Sequence, residues 1–366
     1  MKKIMVVFGT RPEAIKMAPV IKELERRENI ETIVCVTAQH REMLDQVLDI
    51  FDIKPKYDLN IMKKSQTLSY ITSSILNGID SIMKKEEPDV VVVHGDTTTT
   101  FATAMAAFYN RIKIAHVEAG LRTYNKYSPY PEEVNRQMVG IIADYNFSPT
   151  NMTVKNLIDE GKDRSTIYLT GNTAIDTLSY TVKDDYKDEN TEWAGDSRLI
   201  LLTAHRRENI GKPMENIFGA VRDILDKYED VKVIYPIHKN PAVIEYAEKY
   251  FSNEERVRLI EPLDVVRFHN LINKSYLILT DSGGIQEEAP ALNVPVLVLR
   301  NETERKEGIE AGTLKLLGTE HDEIYRGVCE VMDNPKVYKS MSEAVNPYGD
   351  GSASRKIADI LEREDI

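Results

Sequence analysis

Short β-branched runs, each followed by a turn and then a helical period, recur along this chain and constrain its fold more than any other feature. In the first half the predicted strands are Ile4–Phe8, Thr32–Thr37, Val90–Val93, Ile112–Val117 and Tyr145–Ser148. Helical periods lie between them, over Ala14–Arg27, Leu68–Lys85 and Thr97–Asn110. Strands that are apolar almost throughout are buried on both faces, and alternated with helices they predict a parallel sheet covered on each side. A polar, acidic stretch over Lys183–Asp196 interrupts the pattern. It then restarts with Leu199–Thr203, Val231–Ile237, Val257–Ile260, Tyr276–Thr280 and Val294–Leu299, and a helix over Ser354–Glu362 follows. The chain's 366 residues suit two domains at about 150 residues each. We expect an α/β protein of two doubly wound domains, 1–170 and 171–351, facing one another across a cleft.

The balance of charge narrows the function. With 47 Lys+Arg against 59 Asp+Glu the formal charge is −12, which argues against a nucleic-acid binder. A small anionic ligand stays open, because a few local cations can reverse the field in a cleft. No apolar run approaches the roughly 18 residues of a membrane span. The five apolar residues after Met1-Lys2-Lys3 are too few for a signal peptide and read as a first strand. Cys35 and Cys329 lie in apolar-periodic stretches and read as inert core thiols. The expectation is a cytoplasmic enzyme.

Ligands of doubly wound sheets bind beyond the carboxyl ends of strands, and the motifs fall there. After the first strand, Thr10 and Glu13 fit a capping box and Pro12 a first helical turn. Arg11 and Lys16 add cations to a helix start that already favours anions. His94-Gly95-Asp96-Thr97 follows the third strand, where Asp96 also suits an N-cap. His116-Val117-Glu118 brings a second carboxylate to the sheet's rim. In the proline-marked loop Ser128–Glu133, Glu132 stands four residues before Arg136, on one helical face. In the second half, Ala204-His205-Arg206-Arg207 places three potential cations at a strand end, suited to a diphosphate, and His238 ends the next strand. Thr280-Asp281-Ser282-Gly283-Gly284 leads into a helix whose first amides can approach an anion closely. Glu288, about a turn further on, suits a pair of ribose hydroxyls. No G-x-G-x-x-G follows a strand and no Walker A motif is present. The seven histidines show no ligand spacing with the cysteines. Neither a cofactor nor a metal is expected.

These strand ends, taken in order, closely resemble the non-hydrolysing UDP-N-acetylglucosamine 2-epimerases. The matching stretches are GTRPEAIKMAP from Gly9, TAQHREMLDQVL from Thr37, HGDTTTT from His94, HVEAGLRT from His116, PEEVNR from Pro131, AHRREN from Ala204, TDSGGIQEEAP from Thr280 and NPYGDG from Asn346. The resemblance implies the GT-B architecture, two Rossmann-like domains with the final helix, here 352–366, packing back on the first. It implies a homodimer that interconverts UDP-N-acetylglucosamine and UDP-N-acetylmannosamine without NAD, for cell-surface polysaccharide. Asp96, Glu118, Glu132 and His205 fall on the family's catalytic positions, with Arg136 beside Glu132. Arg11, Lys16, His238, Ser282, Gly283, Gly284, Glu288 and Arg305 fall on ligand-binding positions, and Phe268 on an aromatic beside the uracil. Five residues before Phe268 the family often has Gln; here Leu263 cannot hydrogen-bond. Gln39 and His40 match part of a region where some members bind substrate as an activator. The implied chemistry is elimination of UDP to a 2-acetamidoglucal and re-addition, with either a hydrolysing epimerase or a GT-B glycosyltransferase as the alternative.

Overall fold

The computed structural model describes residues 1–38, 41–63 and 66–363. Gln39 and His40 therefore lie outside the described residues. The chain divides into two compact units, Met1–Tyr180 with Tyr348–Ile366, and Thr181–Pro347.

The first unit is built on a seven-stranded sheet of β1 (Lys2–Phe8), β2 (Ile30–Val36), β3 (Tyr57–Asp58), β4 (Val90–His94), β5 (Lys113–Val117), β6 (Tyr145–Ser148) and β7 (Ile167–Leu169). Its order is β3-β2-β1-β4-β5-β6-β7, and each neighbouring pair runs parallel. Successive strand residues point to opposite faces, so a run such as Val90–Val93 must be covered twice. On one face Met5, Val7, Val91 and Val93 pack with Ile79 and Met83 of the helix Leu68–Glu86 and Ala104 and Ala107 of the helix Thr98–Tyr109. The helix Arg11–Glu25 packs against β1 and β2, burying Met17, Val20 and Ile21. Each such side chain, fully buried, contributes about 1.5–3 kcal/mol.

The helix Ala353–Glu362 belongs to this unit and packs on Arg11–Glu25. Arg27 pairs with Asp359 at 2.7 Å and Glu362 at 3.3 Å. The buried Asp176 accepts the first amides of the closing helix, from Ala353 at 3.2 Å and Ser354 at 2.6 Å.

The second unit holds β8 (Arg198–Thr203), β9 (Val231–Pro236), β10 (Val257–Ile260), β11 (Leu277–Thr280), β12 (Val296–Val298) and β13 (Leu314–Leu316). The order is β10-β9-β8-β11-β12-β13, again parallel throughout. Ile200 and Leu202 face the helices Lys212–Lys227 and His321–Asp333, while Leu199 and Leu201 face the opposite core with Leu271, Ile272 and Ile285. Three strands are additional to those expected from the sequence, β3, β7 and β13, and all three are sheet edges. Among the described residues no helix is long and apolar enough to cross a membrane.

Candidate active site

Each sheet has one place where neighbouring strands send the chain off in opposite directions. In the first unit it lies between β1 and β4, in the second between β8 and β11. Crevices open outside the carboxyl ends of such pairs. Gly9–Glu13 and His94–Thr97 flank the first; Ala204–Asn209 and Asp281–Glu288 flank the second.

In the first unit Glu13 ties the two loops together. Its buried carboxylate accepts from Gly9 N at 3.1 Å, Thr10 N at 2.8 Å, Thr97 Oγ1 at 2.7 Å and Thr100 Oγ1 at 3.2 Å. Burial raises its pKa, and these donors oppose the rise. The capping box read from the sequence is present, yet the same side chain also reaches the loop after β4, which spacing alone does not reveal. The helix after β4 is capped by Thr97, whose Oγ1 accepts from Thr100 N at 3.2 Å. Asp96 is therefore not the cap, and its carboxylate is left for other work.

That carboxylate pairs with Arg136 Nη2 at 3.5 Å. Although 26 % of the side chain's surface is open, the group is hard to ionise. Burial raises its pKa from 3.8 to about 6; Arg136 and Lys16 oppose the rise, while Glu118 and Glu132 add to it. The structure thus brings Glu118, Glu132, Arg136 and Lys16 within electrostatic reach of Asp96. Lys16 Nζ donates to Glu118 in a close ion pair, and His94 Nε2 lies 3.9 Å from the same carboxylate. Glu118 adopts φ +65°, a left-handed conformation that costs a residue with a Cβ about 1–3 kcal/mol and gathers at functional sites. Arg136 does not take Glu132's carboxylate as its partner, as the four-residue spacing suggested. Its Nε lies 3.3 Å from the carboxylate of buried Glu133, and of Glu132 it reaches the main-chain oxygen, at 3.4 Å. Burial pushes Glu133 up, but Thr123 N, Gln137, Tyr124 N and Arg136 together hold it below the usual range. Arg11 stands half-buried beside this loop pair, with its Nε buried and lacking a hydrogen-bond partner among the described residues.

Two buried histidines stand at the ends of β4 and β5, and one of them holds the loop after β4. Burial holds both His94 and His116 down to a pKa of about 4, so each is neutral near pH 7. His116 Nε2 meets the Gly95 carbonyl at 2.7 Å; a carbonyl only accepts, so the proton of this ring sits on Nε2. The sequence displays His116 at a strand end but does not reveal this role.

In the second unit the rings of His205 and His238 stack, centroids 5.5 Å apart and planes 7° from parallel. Ser282 precedes the helix Gly283–Glu288, whose first amides have no intrahelical acceptor. A Cβ at Gly283 would lie 3.1 Å from Arg305 Cζ, so a glycine lets this guanidinium approach the backbone. Arg305 also pairs with Glu287 at 2.8 Å and Glu304 at 2.7 Å. Glu288 Oε2 is 3.5 Å from Nε2 of buried His269, whose Nδ1 bonds Thr181 Oγ1 at 2.7 Å. Phe268 and Leu263 are half-buried against the sheet. Among the described residues no cluster of His, Cys, Asp or Glu is arranged to hold a metal ion.

Two doubly wound α/β units, each with ionisable residues gathered at its switch point, place the chain among the doubly wound α/β proteins. The family model for UDP-N-acetylglucosamine 2-epimerase matches residues 22–362. The chain belongs to the UDP-N-acetylglucosamine 2-epimerase family, and its fold is α/β of the GT-B type. A UDP-N-acetylglucosamine 2-epimerase of Bacillus subtilis (strain 168) is 59% identical over 98% of this chain and 94% of its own. The crystal structure of a Listeria monocytogenes protein assigned provisionally to the same activity aligns at 55% identity and TM-score 0.95, covering 99% of this chain and 96% of that one. A Neisseria meningitidis UDP-GlcNAc 2-epimerase, solved bound to UDP-GlcNAc, aligns at 47% identity and TM-score 0.88 over 98% and 99% of the two chains.

Proposed function

We propose that this protein interconverts UDP-N-acetylglucosamine and UDP-N-acetylmannosamine without hydrolysing them, by eliminating UDP and adding it back. The observation that carries this reading is Asp96, a carboxyl whose pKa of about 6 suits a group that must both take and return a proton near neutral pH. In the forward step a carboxylate removes the C2 proton as the C1–oxygen bond breaks, leaving 2-acetamidoglucal and UDP. In the return step UDP re-forms the bond while C2 is protonated on its other face. Asp96, Glu118 and Glu132 supply the carboxylates for the two faces, with Arg136 beside Asp96. Arg11, Lys16 and His205 stabilise the charge that grows on UDP. Ser282, Gly283 and Gly284 receive its phosphates, Glu288 its ribose, Phe268 its base, and His238 and Arg305 complete the nucleotide's ligands. No cofactor enters this scheme.

The bound sugar nucleotide of the Neisseria relative supports the substrate. A homodimer is supported by an apolar face on the helices Thr98–Tyr109 and Glu132–Ile142, where Phe108, Tyr109, Met138 and Ile141 are exposed; a second copy would cover it. We place the enzyme in the cytoplasm, supplying precursor for cell-surface polysaccharide.

Turnover of UDP-N-acetylglucosamine in D₂O, followed by mass spectrometry, tests the mechanism. Deuterium should enter C2, with traces of UDP and 2-acetamidoglucal released. Retention of the C2 hydrogen over many turnovers would sink the elimination route, and accumulating free N-acetylmannosamine would identify a hydrolysing enzyme.

A further inference from the structure

We infer that Asp281 is a positioning residue for His205: it receives the ring's Nδ1–H and so leaves Nε2 for the departing diphosphate. The inference rests on the reading of His205 as a ligand of UDP. Asp281 is fully buried at the end of β11. Its Oδ2 accepts from His205 N at 2.8 Å, Arg206 N at 2.8 Å and Asn209 Nδ2 at 3.0 Å. Its main-chain oxygen takes Arg206 Nε at 2.7 Å. These bonds anchor the loop after β8 to the loop after β11, and none of them uses Oδ1.

Oδ1 is buried and has no hydrogen-bond partner among the described residues. It lies 3.6 Å from His205 Nδ1. Buried carboxylate oxygens are seldom left without a donor, and a small turn of this ring brings Nδ1–H to the usual charge-assisted distance of about 2.8 Å. The ring has room to turn, because the His205 side chain is 41 % exposed. The stack on His238 keeps its plane. His238 in turn accepts Asn240 N–H on its own Nδ1 at 3.1 Å, so that ring carries its proton on Nε2.

When the ring also carries a proton on Nε2, it answers two anions at once: Nδ1–H to Asp281, and Nε2–H to the phosphate oxygen. When the C1–oxygen bond breaks, its electron pair goes to UDP, and the hydrogen bond that Nε2–H donates to the phosphate oxygen strengthens with the charge. The proton on Nδ1 stays where it is.

Asp281→Asn separates this role from simple scaffolding. The amide keeps one oxygen for the loop donors but turns N–H groups toward Nδ1, which must then accept. kcat should fall about 10- to 100-fold, as when the outer partner of a functional imidazole is lost. KM should move less than about threefold, because the other nucleotide ligands are untouched. Nitrogen-15 NMR of the UDP-saturated enzyme should show His205 Nδ1 protonated in the wild type and unprotonated in Asp281→Asn. His205→Gln keeping the wild-type kcat would overturn the underlying reading of His205. An impaired His205→Gln together with an unprotonated wild-type Nδ1 would overturn the role of Asp281 alone. Should Asp281→Asn fail to fold, the wild-type spectrum decides.

Discussion

Replacing Asp96 by Asn should make the protein more stable at alkaline pH while it damages turnover. The carboxyl's pKa rises from 3.8 to about 6 on folding, chiefly by burial and then by Glu118 and Glu132 against the pull of Arg136 and Lys16. The folded state therefore holds this proton more tightly than the unfolded chain. Between those two values the native state binds more protons, so wild-type stability falls as pH climbs through the window. Above it, the ionised Asp96 costs about 3 kcal/mol, at 1.36 kcal/mol for each pH unit of the difference. Asn has the same shape and nothing to ionise, and Arg136 keeps Glu133 at 3.3 Å as its anion. The variant's advantage should be small at pH 4 and approach about 3 kcal/mol at pH 8, with about half of it appearing between pH 5 and pH 8. Urea denaturation followed by ellipticity is the appropriate assay, because the single tryptophan, Trp193, lies in the other unit. In the same preparations kcat should drop about 10²–10⁴-fold if a proton transfer is lost. A variant no more stable than wild type at pH 8, or equally advantaged at pH 4 and pH 8, would refute the reasoning.

Glu288→Ala should weaken UDP binding by about 1.5–3 kcal/mol, the contribution of hydrogen bonds to a charged group; calorimetry showing unchanged affinity would move the ribose elsewhere. Gly120→Ala should destabilise the protein by at least about 1–3 kcal/mol, since φ is +94° and the new Cβ would sit 2.3 Å from the Thr153 carbonyl oxygen. An unaltered melting temperature would contradict that. Iodoacetamide at pH 8 should label half-buried Cys329 and spare Cys35, whose thiol burial pushes up to about 12, Asp58 adding to it. Alkylation of Cys35 in the folded protein would count against the buried environment described.

The central strands were legible because a parallel strand buried on both faces must be apolar at consecutive positions, and Val90–Val93 is such a run. The edge strands β3, β7 and β13 were not, since two or three residues with one partner strand carry little of that pattern. Motifs at strand ends located the candidate site, because strand ends are where the topology places crevices. What those residues touch was harder to read. Asp96 and Thr97 are both good N-caps in isolation, and only the tertiary contacts assign the cap to Thr97. The spacing of Glu132 and Arg136 pointed to a pair, but Glu133 is buried and draws the guanidinium inward. Glu13 and Asp281 join loops from strands far apart in sequence, so no local pattern could show what they hold. The roles proposed for the nucleotide ligands come from the family resemblance, since neither periodicity nor charge distinguishes those residues from solvated loops.

The carboxylate of Asp176, which holds the first amides of the closing helix, has a consequence for how the protein is made. Its partner Ser354 lies 178 residues further along the chain. At about 5–20 residues per second, a ribosome needs roughly 10–35 s to travel between them. The unit that is begun first is therefore finished last, and residues 181–347 have all their own strands before the first unit receives its final helix. Until then the helix Arg11–Glu25 waits without the closing helix packed on it. Nascent chains stalled at Pro347 should be cut by protease in the first unit sooner than in the second, with the difference disappearing once Ala353–Glu362 has been added.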